Sequence, residues 1–297
     1  MTNSPDTLCI GSVLWDVIGR TKLVMRQGSD VPGRIERLPG GVAMNIAMAL
    51  GRFGLRPSVL TAIGRDIEGE ELLAACARLG VDTTYAYRSD DLPTDQYMAV
   101  EGANGLIAAI ADAHSLEAAG PRILRPLTDG RLGASDNPYD GIIALDGNLT
   151  LALLEEIATH PAFALADLRV APASPGKAER LLPFLRHPRA VIYVNLEEAG
   201  ILCQQPFEDA QAAATALVER GAARALVTDG GRPACDASDA GAFNATPPEV
   251  LVTRVTGAGD TFMAAHIAAE RVGAPRDRAL ERALAVAAAY VSGEHPA

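Results

Sequence analysis

The segment VTGAGDTF at residues 255–262 joins a strand-like run to a long stretch of helical periodicity, and its residue types suit phosphoryl chemistry. Two glycines around one alanine at a helix start leave the N–H groups of Gly257, Ala258, Gly259 and Asp260 without helical acceptors and open to a ligand. The helix dipole adds partial positive charge there, so the segment reads as an anion hole made of main chain. A carboxylate at the mouth of such a hole opposes a phosphate that is only bound. It makes sense if Asp260 removes a proton from a hydroxyl while the amides stabilise a phosphoryl group in transit. An ordinary glycine turn with Asp260 as helix N-cap would have the same composition. Other nucleotide signatures are absent: there is no GxxxxGK[ST], no third glycine of a dinucleotide fingerprint, and no HRD or DFG set.

A second segment, GGVAMNIAMALGRFG at residues 40–54, places Gly40 and Gly41 before a helix, where backbone can approach a ligand closely. Asn45, one turn in, carries donors and acceptors that suit vicinal hydroxyls, although a solvated asparagine on an amphipathic helix fits the pattern equally. Asp16 follows the first strand-like run, where it could accept hydrogen bonds from sugar hydroxyls or simply end a strand.

These segments need a frame to hold them. The 297 residues are 48% hydrophobic and 21% charged, which excludes collagen-like, coiled-coil and largely disordered chains. A net charge of −11 argues against a broad footprint on nucleic acid polymer. The four cysteines lie far apart, and the histidines form no HExxH or i, i+4 pair, so a structural zinc or metal-hydrolase site is not expected. No apolar run approaches a membrane span and the N-terminus has no signal-peptide pattern; the expectation is a cytoplasmic protein without membrane contact.

Strand-length apolar runs at 8–13, 58–63, 141–145, 191–194 and 224–228 alternate with helical patterns at 41–53, 69–79, 151–159, 177–182, 209–220, 258–271 and 276–292. That rhythm predicts an α/β fold, a doubly wound and mainly parallel sheet with helices on both faces. Two regions break it. Residues 95–112 read as a hairpin around Asn104-Gly105, and 19–38 is too polar and interrupted for a helix. Both are assigned to a small β-sheet lid, inserted at about 14–38 and 88–113 into one domain covering 1–297, although two unrelated surface loops would fit the same patterns.

Together, GGVAMNIAMALGRFG and VTGAGDTF resemble the two signature motifs of the PfkB, ribokinase-like carbohydrate kinase family, and the order of elements fits over essentially the whole chain. The resemblance implies ATP-dependent transfer of the γ-phosphoryl group to a hydroxymethyl hydroxyl, with Mg²⁺ bridging the phosphates. It makes Asp260 the catalytic base and Gly257, Ala258 and Gly259 the anion hole. Asn195-Leu196-Glu197-Glu198 matches the family's N-x-x-E, which implies Asn195 near the phosphates and Glu198 holding magnesium through water. Thr228-Asp229-Gly230 is similar to the T-x-G that borders the nucleotide, which makes Thr228 and Gly230 ATP-binding residues. Asp16, Gly41 and Asn45 fall where the family grips the acceptor.

One departure stands out. Many members carry an aspartate, which helps hold a monovalent cation, where this chain has Arg254. That puts K⁺ dependence in doubt and suggests that the guanidinium supplies the charge. VTGAGD, the lid run TDQYMAVEGANGLIAAIADA and LDGNL are most similar to pseudouridine kinases, which implies the 5′-hydroxyl of that nucleoside as acceptor and places Thr94 and Asp112 on lid strands facing it. A ribokinase or other sugar or nucleoside kinase is the alternative, and a nucleotide-binding sensor without turnover the non-kinase one. Exposed edges on a lid sheet also suggest a homodimer.

Overall fold

The computed structural model describes residues 5–26 and 28–293. In chain order the strands are β1 Thr7–Ile10, β2 Leu14–Arg20, β3 Arg34–Gly40, β4 Pro57–Leu60, β5 Ala62–Gly64, β6 Tyr87–Ser89, β7 Gln96–Gly102, β8 Gly105–Asp112, β9 Ile142–Asp146, β10 Asp167–Ala171, β11 Ala190–Asn195, β12 Arg224–Asp229, β13 Arg232–Ser238 and β14 Gly241–Ala245. The α-helices are α1 Val42–Arg52, α2 Ile67–Arg78, α3 His114–Ala119, α4 Arg125–Thr128, α5 Leu151–Thr159, α6 Leu196–Cys203, α7 Ala210–Glu219, α8 Ala258–Arg271 and α9 Arg276–Ser292.

Alternation within short apolar strands builds a sheet with two dry faces. In β1, Leu8 and Ile10 join one buried cluster with Ile143, Leu145, Phe163 and Phe184, while Cys9 points into the other with Val59, Tyr193 and Leu226. Helices α5, α6 and α7 cover the first face and α1, α2, α8 and α9 the second, as a parallel sheet buried on both sides requires. The main sheet has the order β14-β13-β12-β11-β10-β9-β1-β4, parallel from β12 to β4 and antiparallel through β13 and β14. The alanines of α8 and α9, Ala264, Ala265, Ala268, Ala279 and Ala283 among them, are buried, so small side chains bring these two helices close together.

Strand β1 has β4 on one side and β9 on the other. The chain thus reverses its winding between β1 and β9, which opens a crevice beyond the carboxyl ends of those strands. Beside it stands a separate sheet of order β3-β2-β7-β8, formed by the two segments that break the α/β rhythm. The expected hairpin is β7–β8, with Gly102 opposite Gly105 and Gly105 at φ +91°. Every residue of β8 is exposed, including Leu106 at 60% and Ile110 at 67%.

Candidate active site

Three chain crossings meet at the crevice. The exit of β1 passes through Gly11 to Ser12, and a Cβ at Gly11 would lie 2.2 Å from the Cβ of Asp146 at the end of β9. Only glycine lets these strand ends come so close. Asp146 is fully buried and accepts from Ser12 N at 2.8 Å, Ser12 Oγ at 2.6 Å and Asn148 N at 2.8 Å. Ser12 Oγ in turn accepts from Val42 N at 3.0 Å, which ties the diglycine helix to the switch point.

The diglycine supplies contact distance and backbone sign. A Cβ on Gly40 would lie 2.0 Å from Asp16 Oδ2, and Gly41, at φ +95°, caps α1 in a region that L side chains avoid. Asp16 is half-buried, and desolvation pushes its carboxyl from 3.8 up to about 6. From the first turn of α1, Asn45 Nδ2 donates to Asp260 Oδ2 at 2.9 Å. Residues far apart in sequence thereby join the two motifs at one point.

Asp260 stands in the first turn of α8, a helix that Gly257 caps without any side chain. Burial pushes its carboxyl from 3.8 up to about 7; the Asn45 hydrogen bond pulls the other way, and the charges of Asp146 and Glu198 add to the rise. A carboxylate tuned near neutrality is matched to general-base work. The N–H groups of Gly257, Gly259 and Asp260 have no acceptor among the described residues, whereas Ala258 N donates to Val255 O at 3.0 Å. The cradle therefore has three free amides, and Ala258 is corrected from anion-hole donor to turn-closing residue.

At the ends of the neighbouring strands, β11 and β12 pair in parallel with Asn195 opposite Thr228, so these residues share one sheet edge, and Gly230, at φ +58°, lies just beyond. Asn195 and Glu198 form a reciprocal cap on α6: Glu198 N donates to Asn195 Oδ1 at 2.9 Å and Asn195 N to Glu198 Oε2 at 2.8 Å. Glu198 is buried, and that burial, with the neighbouring Glu197, holds its carboxyl above the usual range. Its Oε1 accepts no hydrogen bond among the described residues. No group of three or more His, Cys, Asp or Glu side chains could enclose a metal among the described residues. One available carboxylate oxygen fits Mg²⁺, which keeps most of its waters and leans on substrate phosphates.

Three expectations are corrected by position. Thr94 precedes β7 instead of lying on a lid strand; its Oγ1 donates to Asp66 Oδ1 at 2.6 Å and accepts from Gly64 N, so it anchors the N-cap of α2. Asp112 pairs with Gln96, which pairs with Trp15. That row faces away from Asp16 toward α2, where Trp15 Nε1 donates to Glu68 O at 2.9 Å. The row carrying Asp16 continues instead through Leu38, Tyr97 and Ala111. Arg254 does not project into the cradle: its guanidinium lies 3.8 Å over the Tyr290 ring and its Nε donates to Tyr290 O at 2.8 Å. With Thr253 N and Arg254 N donating to Val291 O, and Tyr290 Oη to Thr256 O, it staples the cradle loop to the end of α9.

Ser12, Asp146, Asn148 and Tyr97 were not singled out by residue type. The signal for the first three was the glycine beside each strand-end polar residue, Gly11-Ser12 and Asp146-Gly147-Asn148.

A near-neutral carboxylate beside unpaired helix-start amides, at the switch point of a doubly wound sheet, is what moving a phosphoryl group to an alcohol requires. It places the chain among small-molecule kinases. The chain belongs to the pfkB family of carbohydrate kinases, whose profile matches residues 4–296. It is 27% identical over 264 residues to the pseudouridine kinase of Escherichia coli, covering 86% of this chain and 80% of that one. With the pseudouridine kinase of Arabidopsis thaliana it shares 24% over 203 residues, 67% of this chain and 51% of that one. A solved carbohydrate kinase from Agrobacterium tumefaciens superposes with a TM-score of 0.80 at 25% identity, covering 96% of this chain and 90% of that one. No helix among the described residues is long and apolar enough to cross a membrane.

Proposed function

We propose that the protein is an ATP-dependent kinase that transfers the γ-phosphoryl group to the 5′-hydroxyl of pseudouridine, giving pseudouridine 5′-phosphate and ADP. The observation that carries the kinase reading is the Asn45–Asp260 contact beside the free amides of Gly257, Gly259 and Asp260. Pseudouridine itself rests on the two similar kinases of that name.

Asp16 and Asn45 hold the acceptor's hydroxyls, and Asp260 takes the proton from the attacking one. The new oxygen–phosphorus bond forms as the bond to ADP breaks, while the three amides neutralise the charge spread over the phosphoryl oxygens. Asn195, Thr228 and Gly230 border the nucleotide. Glu198 would hold Mg²⁺ through water, and bound there the ion supplies positive charge to the β- and γ-phosphates.

A smaller acceptor such as ribose is the second reading. Tyr97 is the sole aromatic side chain in the lid row that carries Asp16, which leaves little surface on which a base could stack. An ADP-release assay against ribose, fructose, adenosine, uridine and pseudouridine separates them; turnover greatest with ribose overturns the nucleoside assignment, and no turnover with any acceptor favours a sensor.

The exposed β8 edge supports pairing with a second copy, because an edge strand that is apolar up to its final Asp112 is rarely left open and a two-fold operation would continue both lid sheets. Sedimentation of the wild type is expected to give a dimer and Ile110→Glu a monomer; a monomeric wild type refutes the pairing.

A further inference from the structure

Asp146 and Glu198 stand close enough to Asp260 for their charges to act on it, Asp16 lies against Gly40 at the start of the same diglycine, and none of these carboxylates takes part in an ion pair among the described residues. A nucleoside triphosphate brings about four more negative charges, and like charges brought together in a partly desolvated cleft repel strongly. Three amides and one water-held cation leave room for a cationic side chain. The first candidate for it, Arg254, is committed to Tyr290.

Lys177 occupies the right place. It lies in the 3₁₀ helix Pro175–Phe184 that follows β10, the strand between β9, which ends at Asp146, and β11, which ends at Asn195. In strand order it therefore comes between the end of β9, with Asp146 and Asn148, and the end of β11, with Asn195. The side chain is half-buried, and its ammonium makes one hydrogen bond, Nζ to Asn148 Oδ1 at 2.5 Å, with no ion pair among the described residues.

Asp146, two residues before Asn148, forms no ion pair with the lysine. Its oxygens are already taken by Ser12 N, Ser12 Oγ, Asn148 N and Asn148 Nδ2, all neutral donors. Asn148 Nδ2 also reaches Ser12 Oγ at 3.0 Å, so the amide is oriented with its oxygen toward the lysine. The ammonium of a half-buried lysine, held by an amide oxygen beside a carboxylate whose oxygens are taken by neutral donors, is poised for an incoming anion.

We propose that Lys177 is a catalytic residue that contacts the γ-phosphoryl oxygens of ATP and stays with them as the group moves to the acceptor. This assignment rests on the kinase reading. Lys177 transfers no proton: the hydroxyl's proton goes to Asp260, the acceptor oxygen–phosphorus bond forms and the bond to ADP breaks, while the ammonium neutralises charge throughout.

The test uses three variants of the full chain and compares ATP with ADP, which differ by the group in question. Lys177→Gln keeps a donor for Asn148 Oδ1 without the charge, Lys177→Met removes both, and Lys177→Arg keeps the charge. Calorimetric affinity for the non-hydrolysable imido analogue of ATP is expected to fall about 10- to 100-fold in the Gln and Met variants, the scale of a charge-assisted hydrogen bond. Affinity for ADP is expected to hold within about twofold, because the contact is confined to the third phosphate. In the Arg variant kcat is expected to recover in part.

Equal losses for ADP and the ATP analogue would make the lysine a structural support and refute the proposal. A rise confined to the acceptor's KM would assign it to the acceptor instead. If Lys177→Met does not fold, the Gln and Arg pair still decides. A wild type that binds no ATP would sink the kinase reading itself, a result visible before any variant is made.

Discussion

Replacing Asn45 with alanine removes the one hydrogen bond among the described residues that favours the ionised form of Asp260, and its effect can be worked from the site. Burial and the charges of Asp146 and Glu198 raise this carboxyl to about 7 even though the Asn45 amide, 2.9 Å away, holds it down. A hydrogen bond to a charged group contributes about 1.5–3 kcal/mol, so its loss moves the midpoint up by about one to two pH units. The sign follows from the base being active only when deprotonated: kcat/KM for the acceptor falls as pH drops below about 7 in the wild type. In Asn45→Ala the same limb lies near pH 8 to 9, and at pH 7 the ionised fraction drops from about one half to between about a tenth and a hundredth. In the proposed mechanism Asn45 also holds the acceptor, and losing that contact lowers the whole profile without moving its midpoint. The assay is ADP release at limiting acceptor from pH 5.5 to 10, with saturating ATP and Mg²⁺. A uniformly lowered profile with its acid limb still near pH 7 refutes the claim that Asn45 tunes the base.

Two further outcomes follow from the packing. Gly40→Ala puts a Cβ where Asp16 Oδ2 lies, 2.0 Å away, and displacing that carboxylate is expected to raise the acceptor's KM by about tenfold or more with the KM for ATP unchanged. An unaltered acceptor KM would show that Asp16 does not hold the acceptor. Because the Arg254 guanidinium and the Tyr290 and Val291 carbonyls already bind the cradle loop to α9, initial rates are expected to be the same in potassium chloride and choline chloride. Strong potassium activation would contradict this.

The parallel strands were legible where burial on both faces demanded apolar runs, as in β1 and β9. Strand β10 was not, because Asp167 and Arg169 interrupt it; Arg169 is buried only because Asp167, Glu270 and the Tyr193 hydroxyl surround it, partners that sequence order does not reveal. The antiparallel pair β13–β14 was missed for a similar reason: Asp236, fully buried, reads as a turn residue until Arg224 and Arg276 are seen on its oxygens. At the site, Asp260 and Asn45 stood out because glycines mark backbone that must approach a ligand. Ser12 and Asp146 gave a weaker sign, single polar residues at strand ends whose meeting depends on β1 and β9 being neighbours. The lid hairpin was readable from its Asn-Gly turn, but the faces of Thr94 and Asp112 were not. Alternation along one strand does not tell which row packs on α2, and that depended on the anchoring of Trp15.

The most direct test is Asp260→Asn, which keeps the shape of the side chain while removing the base. kcat is expected to fall about 10²- to 10⁴-fold while the affinity for ATP stays near wild type, since general-base catalysis is lost and the three amides remain. A variant that turns over pseudouridine, or whichever acceptor proves best, at the wild-type rate would contradict it.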